Sequence, residues 1–217
     1  MSNSGRCRAV VAVSGGGSNL QAFIDAVDAG QLHLELAAVV SNRADAYGLQ
    51  RASAAGIDNL CVASRGVRDR DEYDRQLAAA IDHYAPDLIL LAGFMRILGK
   101  DFVEHFAGRI LNIHPSLLPK FPGLDTHERA LAAGEKEHGC TVHFVTEQLD
   151  GGPAISQGRV PVRVDDDGAS LAQRVLAVEH KIYPHAAALF AAGRIRCRDG
   201  KAYLDSKPLE KPLNFSS

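Results

Sequence analysis

Apolar runs and helical stripes alternate along the first half of this 217-residue chain. Residues 8–13, RAVVAV, form a short continuous apolar run, as expected of a parallel strand covered on both faces. Three glycines follow. Leu20, Phe23, Ile24 and Val27 then recur at helical spacing and mark one face of an amphipathic helix. The alternation continues with a strand at 34–40, a helix over about 44–55 that stops before Gly56, and a strand at 59–62. A helix over about 69–84, a strand at 87–92, a helix over about 101–106 and a strand at 109–112 complete it. This rhythm predicts an α/β fold built on an open, mostly parallel, doubly wound sheet with right-handed crossovers. Beyond a proline-rich loop the rhythm changes. Residues 140–145 and 154–162 read as longer, antiparallel strands, followed by a helix over about 170–192 and a hairpin near 194–204. The expectation is one domain over 1–217, with halves of about 1–108 and 109–217 and an antiparallel C-terminal extension.

Composition narrows the class. Hydrophobic residues make up 46% and charged residues 23% of the chain, enough apolar surface for one sizeable core. The net charge of -2 gives no overall field favouring nucleic acid or an anionic membrane, so neither is expected as a partner. No apolar stretch is long enough to span a bilayer, and the opening residues lack a signal-peptide pattern. Cys7, Cys61, Cys140 and Cys197 are scattered, without C-x-x-C or zinc spacing. Buried, reduced thiols in a cytoplasmic protein are the expectation.

Two stretches carry candidate chemistry. SGGGSN (14–19) lies between a strand and a helix. Glycines let the backbone approach an anion, and a helix N-terminus offers free N–H groups. A tight turn with Ser18 as N-cap would use the same residues without a ligand. A dinucleotide loop fits poorly: Gly15 and Gly17 supply G-x-G, but Leu20 takes the third small position. VVSNR (39–43) offers no acid for a ribose, and no Gly-Lys-Ser/Thr follows the glycines. A phosphomonoester fits better.

The second stretch is LNIHPSLLPKFPG (111–123). Asn112 and His114 are alternate residues at a strand end and should share one face. Pro115, Pro119 and Pro122 stiffen the chain behind them. LAGFMRIL (91–98) supplies an apolar loop with one cation, and EQLDGGP (147–153) adds the carboxylate of Asp150. Asn and an imidazolium can both donate to an oxygen that gains negative charge, and a nearby carboxylate favours the charged imidazole. Such a set suits the tetrahedral intermediate of acyl transfer. No Ser or Cys is flanked like a nucleophile, so the nucleophile would come from a substrate. Taken singly, His114 reads as a turn histidine and Asp150 as an Asx-turn residue. The signal is their joint placement. His127, His138 and His143 are too loosely spaced for zinc, and no metal is expected, although His143 beside a strand core could support the pair.

SGGGSNL (14–20), AGFMRIL (92–98), LNIHPSLLP (111–119), HGCTVHFV (138–145) and LDGGP (149–153) together resemble the phosphoribosylglycinamide formyltransferase family of purine biosynthesis. The likeness runs in order from about Arg8 to Ala192. It implies a Rossmann-like formyltransferase fold, with a phosphate-binding first half and a catalytic and folate-binding second half. It implies 10-formyltetrahydrofolate as formyl donor and glycinamide ribonucleotide as acceptor, in a cytoplasmic monomer or homodimer. By that resemblance Asn112 and His114 hold the oxyanion, with His114 as general acid and Asp150 favouring its charged form and relaying a proton. The backbone of Gly17, Ser18 and Asn19 would bind the phosphate, and Glu179 the ribose or glycinamide end. Arg70, Leu91, Met95, Arg96, Ile97, Leu98, Val103 and Asn112 would contact the folate. Gly16 stands where relatives often carry Asn, and Leu176 where some carry a polar ribose contact.

Rival expectations remain. A formyltetrahydrofolate hydrolase would use water as acceptor and would not need a phosphate loop. A methionyl-tRNA formyltransferase would need a C-terminal RNA-binding domain, where only residues 207–217 follow the last hairpin. A non-catalytic sugar-phosphate-binding module would need the glycine loop but not Asn112, His114 and Asp150 together.

Overall fold

A computed structural model describes residues 5–215. The chain divides into two compact units, one running through Leu111 and the other starting at Asn112. In the first unit, strands β1 (Cys7–Val13), β2 (Leu34–Ser41), β3 (Asn59–Cys61) and β4 (Leu88–Leu91) alternate with helices. The helices are α1 (Ser18–Asp28), α2 (Tyr47–Ala54), α3 (Arg70–Asp82) and α4 (Lys100–His105). The strand order β4–β1–β2–β3 is parallel throughout. Val10, Val11, Val13, Val39, Val40, Leu88 and Leu90 are wholly buried, so residues pointing to either face are covered. That explains why these strands read as continuous apolar runs rather than alternating ones. The N–H of Ile89 donates to the Arg109 carbonyl at 2.8 Å, bringing the start of β5 (Ile110–His114) beside β4.

The second unit takes the end of β5, then α5 (Thr126–Ala132), β6 (Glu137–Phe144), β7 (Ala154–Pro161) and α6 (Gly168–Ala191). The pair β6–β7 is antiparallel, and β11 (Leu213–Phe215) joins β7 in parallel, giving the order β11–β7–β6–β5. The strands β8 (Ile195–Arg198), β9 (Lys201–Leu204) and β10 (Lys207–Pro208) make a separate antiparallel sheet. The α/β class, the mostly parallel sheet and the antiparallel C-terminal sheet are as the sequence implied.

Side chains start the long helices. The Asp69 carboxylate accepts from the N–H groups of Asp71 (2.9 Å) and Glu72 (3.2 Å), capping α3. Asp167 and Ser170 form a reciprocal capping box on α6.

Several boundaries differ from the sequence reading. The second helix starts at Tyr47, not near 44, because Arg43 is turned back onto Asp45 by two hydrogen bonds of 3.0 and 2.8 Å. The helix α5 was not expected: seven residues bury only Thr126 and Ala130, too little for a periodic signal. The strand β6 starts at Glu137, three residues before the apolar run, because pairing with β7 extends to Glu137 and Pro161. The tail beyond the hairpin supplies β10 and β11, and its last two residues lie outside those described. Of the four cysteines, only Cys140 is buried, and burial pushes its thiol up; Cys7, Cys61 and Cys197 are half-buried.

The β6–β7 pair requires glycine at its centre. A Cβ on Gly139 would lie 1.9 Å from the Gly158 carbonyl oxygen, a backbone atom that cannot move alone. Asp69→Ala should remove one cap, about 1 kcal/mol, and lower the melting temperature by roughly 2–4 °C. Gly139→Ala should lower it by several times more. Calorimetry of both variants checks the order, and a Gly139→Ala midpoint equal to wild type would refute the packing argument.

Candidate active site

In the first unit, the glycine loop leaves β1 through Ser14. That serine is buried; its hydroxyl donates to Asn42 Oδ1 at 2.5 Å and accepts from the Met95 N–H at 2.7 Å. One side chain thus links the glycine loop to the loop after β4. Gly17 is the N-cap of α1, at φ 69° and ψ 35°. A Cβ there would sit 2.8 Å from Gly48 Cα, so the left-handed backbone and the close approach both demand glycine. Ser18 and Asn19 are the first residues of α1, at the positive end of its dipole.

The loop after β4 exposes Met95 and Ile97, at 68% and 57%, while Leu91, Leu98 and Val103 are buried. Large apolar side chains held out in this way suit an apolar ligand. The Arg96 guanidinium lies over the Tyr73 ring, 4.1 Å from its centroid. Arg70 donates to the Leu98 carbonyl at 2.6 Å, and the Asp74 carboxylate accepts from the Gly99 N–H at 2.6 Å. Burial raises the Asp74 carboxyl above the usual carboxylate range. Helix α3 therefore fixes the loop from behind.

The second unit holds the polar cluster. Asn112 and His114 do share a face of β5, and the structure brings Asp150 and His143 to them. His114 Nδ1 lies 3.4 Å from Asp150 Oδ2, and both side chains are more than nine-tenths buried. His114 Nε2 lies 2.9 Å from the Phe121 carbonyl oxygen. Carboxylate and carbonyl oxygens can only accept, so both ring nitrogens face acceptors, Phe121 at hydrogen-bonding distance and Asp150 at ion-pair distance. Asp150 Oδ2 also accepts from the Gly123 N–H at 2.9 Å.

His143 fixes the amide of Asn112. Its Nδ1 lies 2.9 Å from the Phe144 carbonyl, which must accept, so that nitrogen carries the proton. Burial lowers the pKa of His143 and keeps the ring neutral. Nε2 is then an acceptor, and Asn112 Nδ2 donates to it at 3.2 Å. This turns the amide NH2 towards His143 and leaves its second N–H for another acceptor. The sequence signal for His143 was only its place beside a strand core. A register shift between Val142 and His143 makes that signal weak.

The local backbone is built for Asp150. Its φ is 50°, a left-handed conformation that Asp tolerates better than most residues. A Cβ on Gly152 would meet the Phe144 carbonyl at 1.9 Å, which explains the glycine there. The proline loop has further braces. Thr141 Oγ1 donates to the Ser116 carbonyl (2.7 Å) and accepts from the Leu118 N–H (3.0 Å). Gln157 donates to the Leu118 carbonyl at 2.7 Å. Arg129 donates to the carbonyls of Pro122 and Leu124. Glu179 is buried on α6, near enough to Cys140 for its charge to raise that thiol. Among the described residues no group of three or more His, Cys, Asp or Glu side chains could hold a metal ion. No helix among them is long and apolar enough to cross a membrane.

The formyl transferase family model matches residues 7–187, most of the chain. Phosphoribosylglycinamide formyltransferase of Escherichia coli K12 is 52% identical over 200 residues, which cover 92% of this chain and 94% of that protein. This chain belongs to the phosphoribosylglycinamide formyltransferase family. The formyltransferase is also similar in fold to the phosphoribosylglycinamide formyltransferase of Coxiella burnetii. The TM-score is 0.93 at 51% identity, over 97% of this chain and all of that one. A formyltetrahydrofolate deformylase of Pseudomonas syringae gives a TM-score of 0.85 at 26% identity, over 93% of this chain and 66% of that one. The shared fold thus serves both an acceptor-using and a hydrolytic enzyme.

The buried histidines of this formyltransferase carry a pH dependence. Burial lowers His138 from 6.5 to about 4, and its Nε2 meets Nδ1 of His127 at 3.2 Å. Between these values the unfolded chain binds the proton and the folded chain does not. Stability is therefore fully present above about pH 6.5 and falls as pH drops towards 4. Urea midpoints across this range should fall less steeply in His138→Gln than in wild type. Equal slopes would show that His138 is not held neutral.

Proposed function

We propose that this formyltransferase moves the formyl group of 10-formyltetrahydrofolate to the amine of 5'-phosphoribosylglycinamide, a step of purine biosynthesis. The observation that carries the reading is His114, held between the Asp150 carboxylate and the Phe121 carbonyl beside an Asn112 amide with one N–H to spare. The amine nitrogen attacks the formyl carbon, and the formyl oxygen becomes an oxyanion. Asn112 Nδ2–H and His114 Nε2–H donate to it, the latter exchanging the Phe121 carbonyl for the substrate oxygen. The amine loses a proton, and the folate N10 gains one as its bond to carbon breaks. His114 is the general acid, and Asp150 keeps the imidazolium paired and relays the proton through water. No protein nucleophile is needed.

The other assignments follow the same reading. The N–H groups of Gly17, Ser18 and Asn19 hold the phosphate, as a helix N-terminus can. Glu179 takes the ribose or glycinamide end. Leu91, Met95, Arg96, Ile97, Leu98 and Val103 receive the pterin, and Arg70 meets the benzoyl-glutamate tail. The apolar exposure of Met95 and Ile97 supports the pterin assignment. No metal enters these steps.

The hydrolytic reading is kept alive by the likeness to the deformylase. Absorbance assays with 10-formyltetrahydrofolate, with and without the ribonucleotide, separate the two. Turnover should require the ribonucleotide; formate release without it would establish the hydrolase. No turnover from folded protein in either case would leave a sugar-phosphate-binding module. His114→Ala and Asp150→Asn should each lower kcat by about 10²–10³, the usual loss for an oxyanion donor or its support. Near-normal turnover in either folded variant would refute the assignment.

A further inference from the structure

The glycine loop is oriented by α2. In a planar trans peptide the carbonyl and the following N–H point to opposite sides. The Gly15 carbonyl accepts from the Gly48 N–H at 2.9 Å. The next carbonyl, that of Gly16, accepts from Arg51 Nε at 2.8 Å. Both donors belong to α2, so two consecutive carbonyls face that helix. The N–H groups of Gly16 and Gly17 therefore point away from it. Beyond them the chain enters α1 at Ser18. Successive amides turned to one side form a concave anion site. A Cβ built on Gly15 or Gly16 would meet nothing within 4 Å, so this stretch of loop borders open space.

Such a loop does not hold itself. Glycine peptides rotate at little steric cost, and a flipped Gly16–Gly17 peptide would aim a carbonyl where an N–H is needed. Arg51 is built to prevent that. Its Nη1 donates to Gln21 Oε1 on α1 at 2.9 Å, and its guanidinium lies 4.9 Å from the Tyr47 ring centroid. One planar cation thus joins α1, α2 and the loop between β1 and α1. Gly48 allows the approach: a Cβ there would sit 2.9 Å from Val13 Cγ2.

We propose that Arg51 is a positioning residue, which holds the Gly16–Gly17 peptide so that its N–H faces the substrate phosphate. The proposal rests on the function proposed above and deepens its phosphate assignment. Arg51 acts through the loop backbone and need not touch the substrate.

The test uses steady-state kinetics of the full chain with 5'-phosphoribosylglycinamide and with its dephosphorylated ribonucleoside. Arg51→Met should raise KM for the ribonucleotide about tenfold, the scale of a lost hydrogen bond to a charged group. kcat and the ribonucleoside KM should stay within about twofold. Arg51→Lys keeps the charge and one donor, and should recover most of the affinity. The rise should persist at about 0.3 M salt, since a hydrogen-bonded geometry is not screened as a distant charge is. An unchanged ribonucleotide KM, an equal rise for both substrates, or an effect abolished by salt would overturn the proposal. Should Arg51→Met fail to fold, Arg51→Lys carries the test alone, through a smaller rise confined to the ribonucleotide. A wild-type enzyme with equal KM for both substrates would sink the phosphate assignment itself, and that result needs no variant to detect.

Discussion

Asp150 is a carboxylate almost wholly out of water, and the second unit is organised around that fact. A buried charge is costly unless it is paired and hydrogen-bonded. Here the compensation comes from the Gly123 N–H and from His114 at 3.4 Å. Those partners sit on the proline loop and on β5. One carboxylate therefore ties both segments to the turn that carries it. The same arrangement places His114 between two acceptors and leaves Asn112 beside it. Removing the carboxylate would free the loop that carries Phe121 and Gly123.

The two histidines beside Asp150 are set apart by their hydrogen-bond partners. His143 donates to a backbone carbonyl and is buried, so its other nitrogen stays an acceptor for Asn112. His114, a strand away, has acceptors on both nitrogens. Two imidazoles near one carboxylate thus take different partners, one an amide and the other a carboxylate and a carbonyl. The cause lies in what each ring nitrogen faces, since the rings themselves are alike.

The first unit applies a comparable constraint to backbone. Ser14 links two loops through one hydroxyl, and Gly48 and Arg51 tie two successive carbonyls. Free N–H groups at a helix start are common, but their direction depends on what the preceding carbonyls bond to. The tight contacts at Gly17 and Gly48 are what let α2 come close enough to do so.

The sequence alone determined the alternation of strands and helices, because strands covered on both faces must be apolar throughout and the helices between them amphipathic. It also placed Asn112 and His114 on one face, since strand alternation is a local property. Asp150 was legible as a carboxylate in a Gly-Gly-Pro turn, 36 residues past His114, but its 3.4 Å approach was not. That approach is a tertiary contact between β5 and the turn after β6, which no local pattern encodes. The short helix α5 and strand β11 left no local signal: one buries two side chains, and the other exists by pairing with residues 156–158. The orientation of the Asn112 amide and of the glycine-loop amides was likewise decided only by tertiary structure. Each is set by a partner, His143 or Arg51, more than 30 residues away in sequence, and no local pattern encodes the direction of a hydrogen bond.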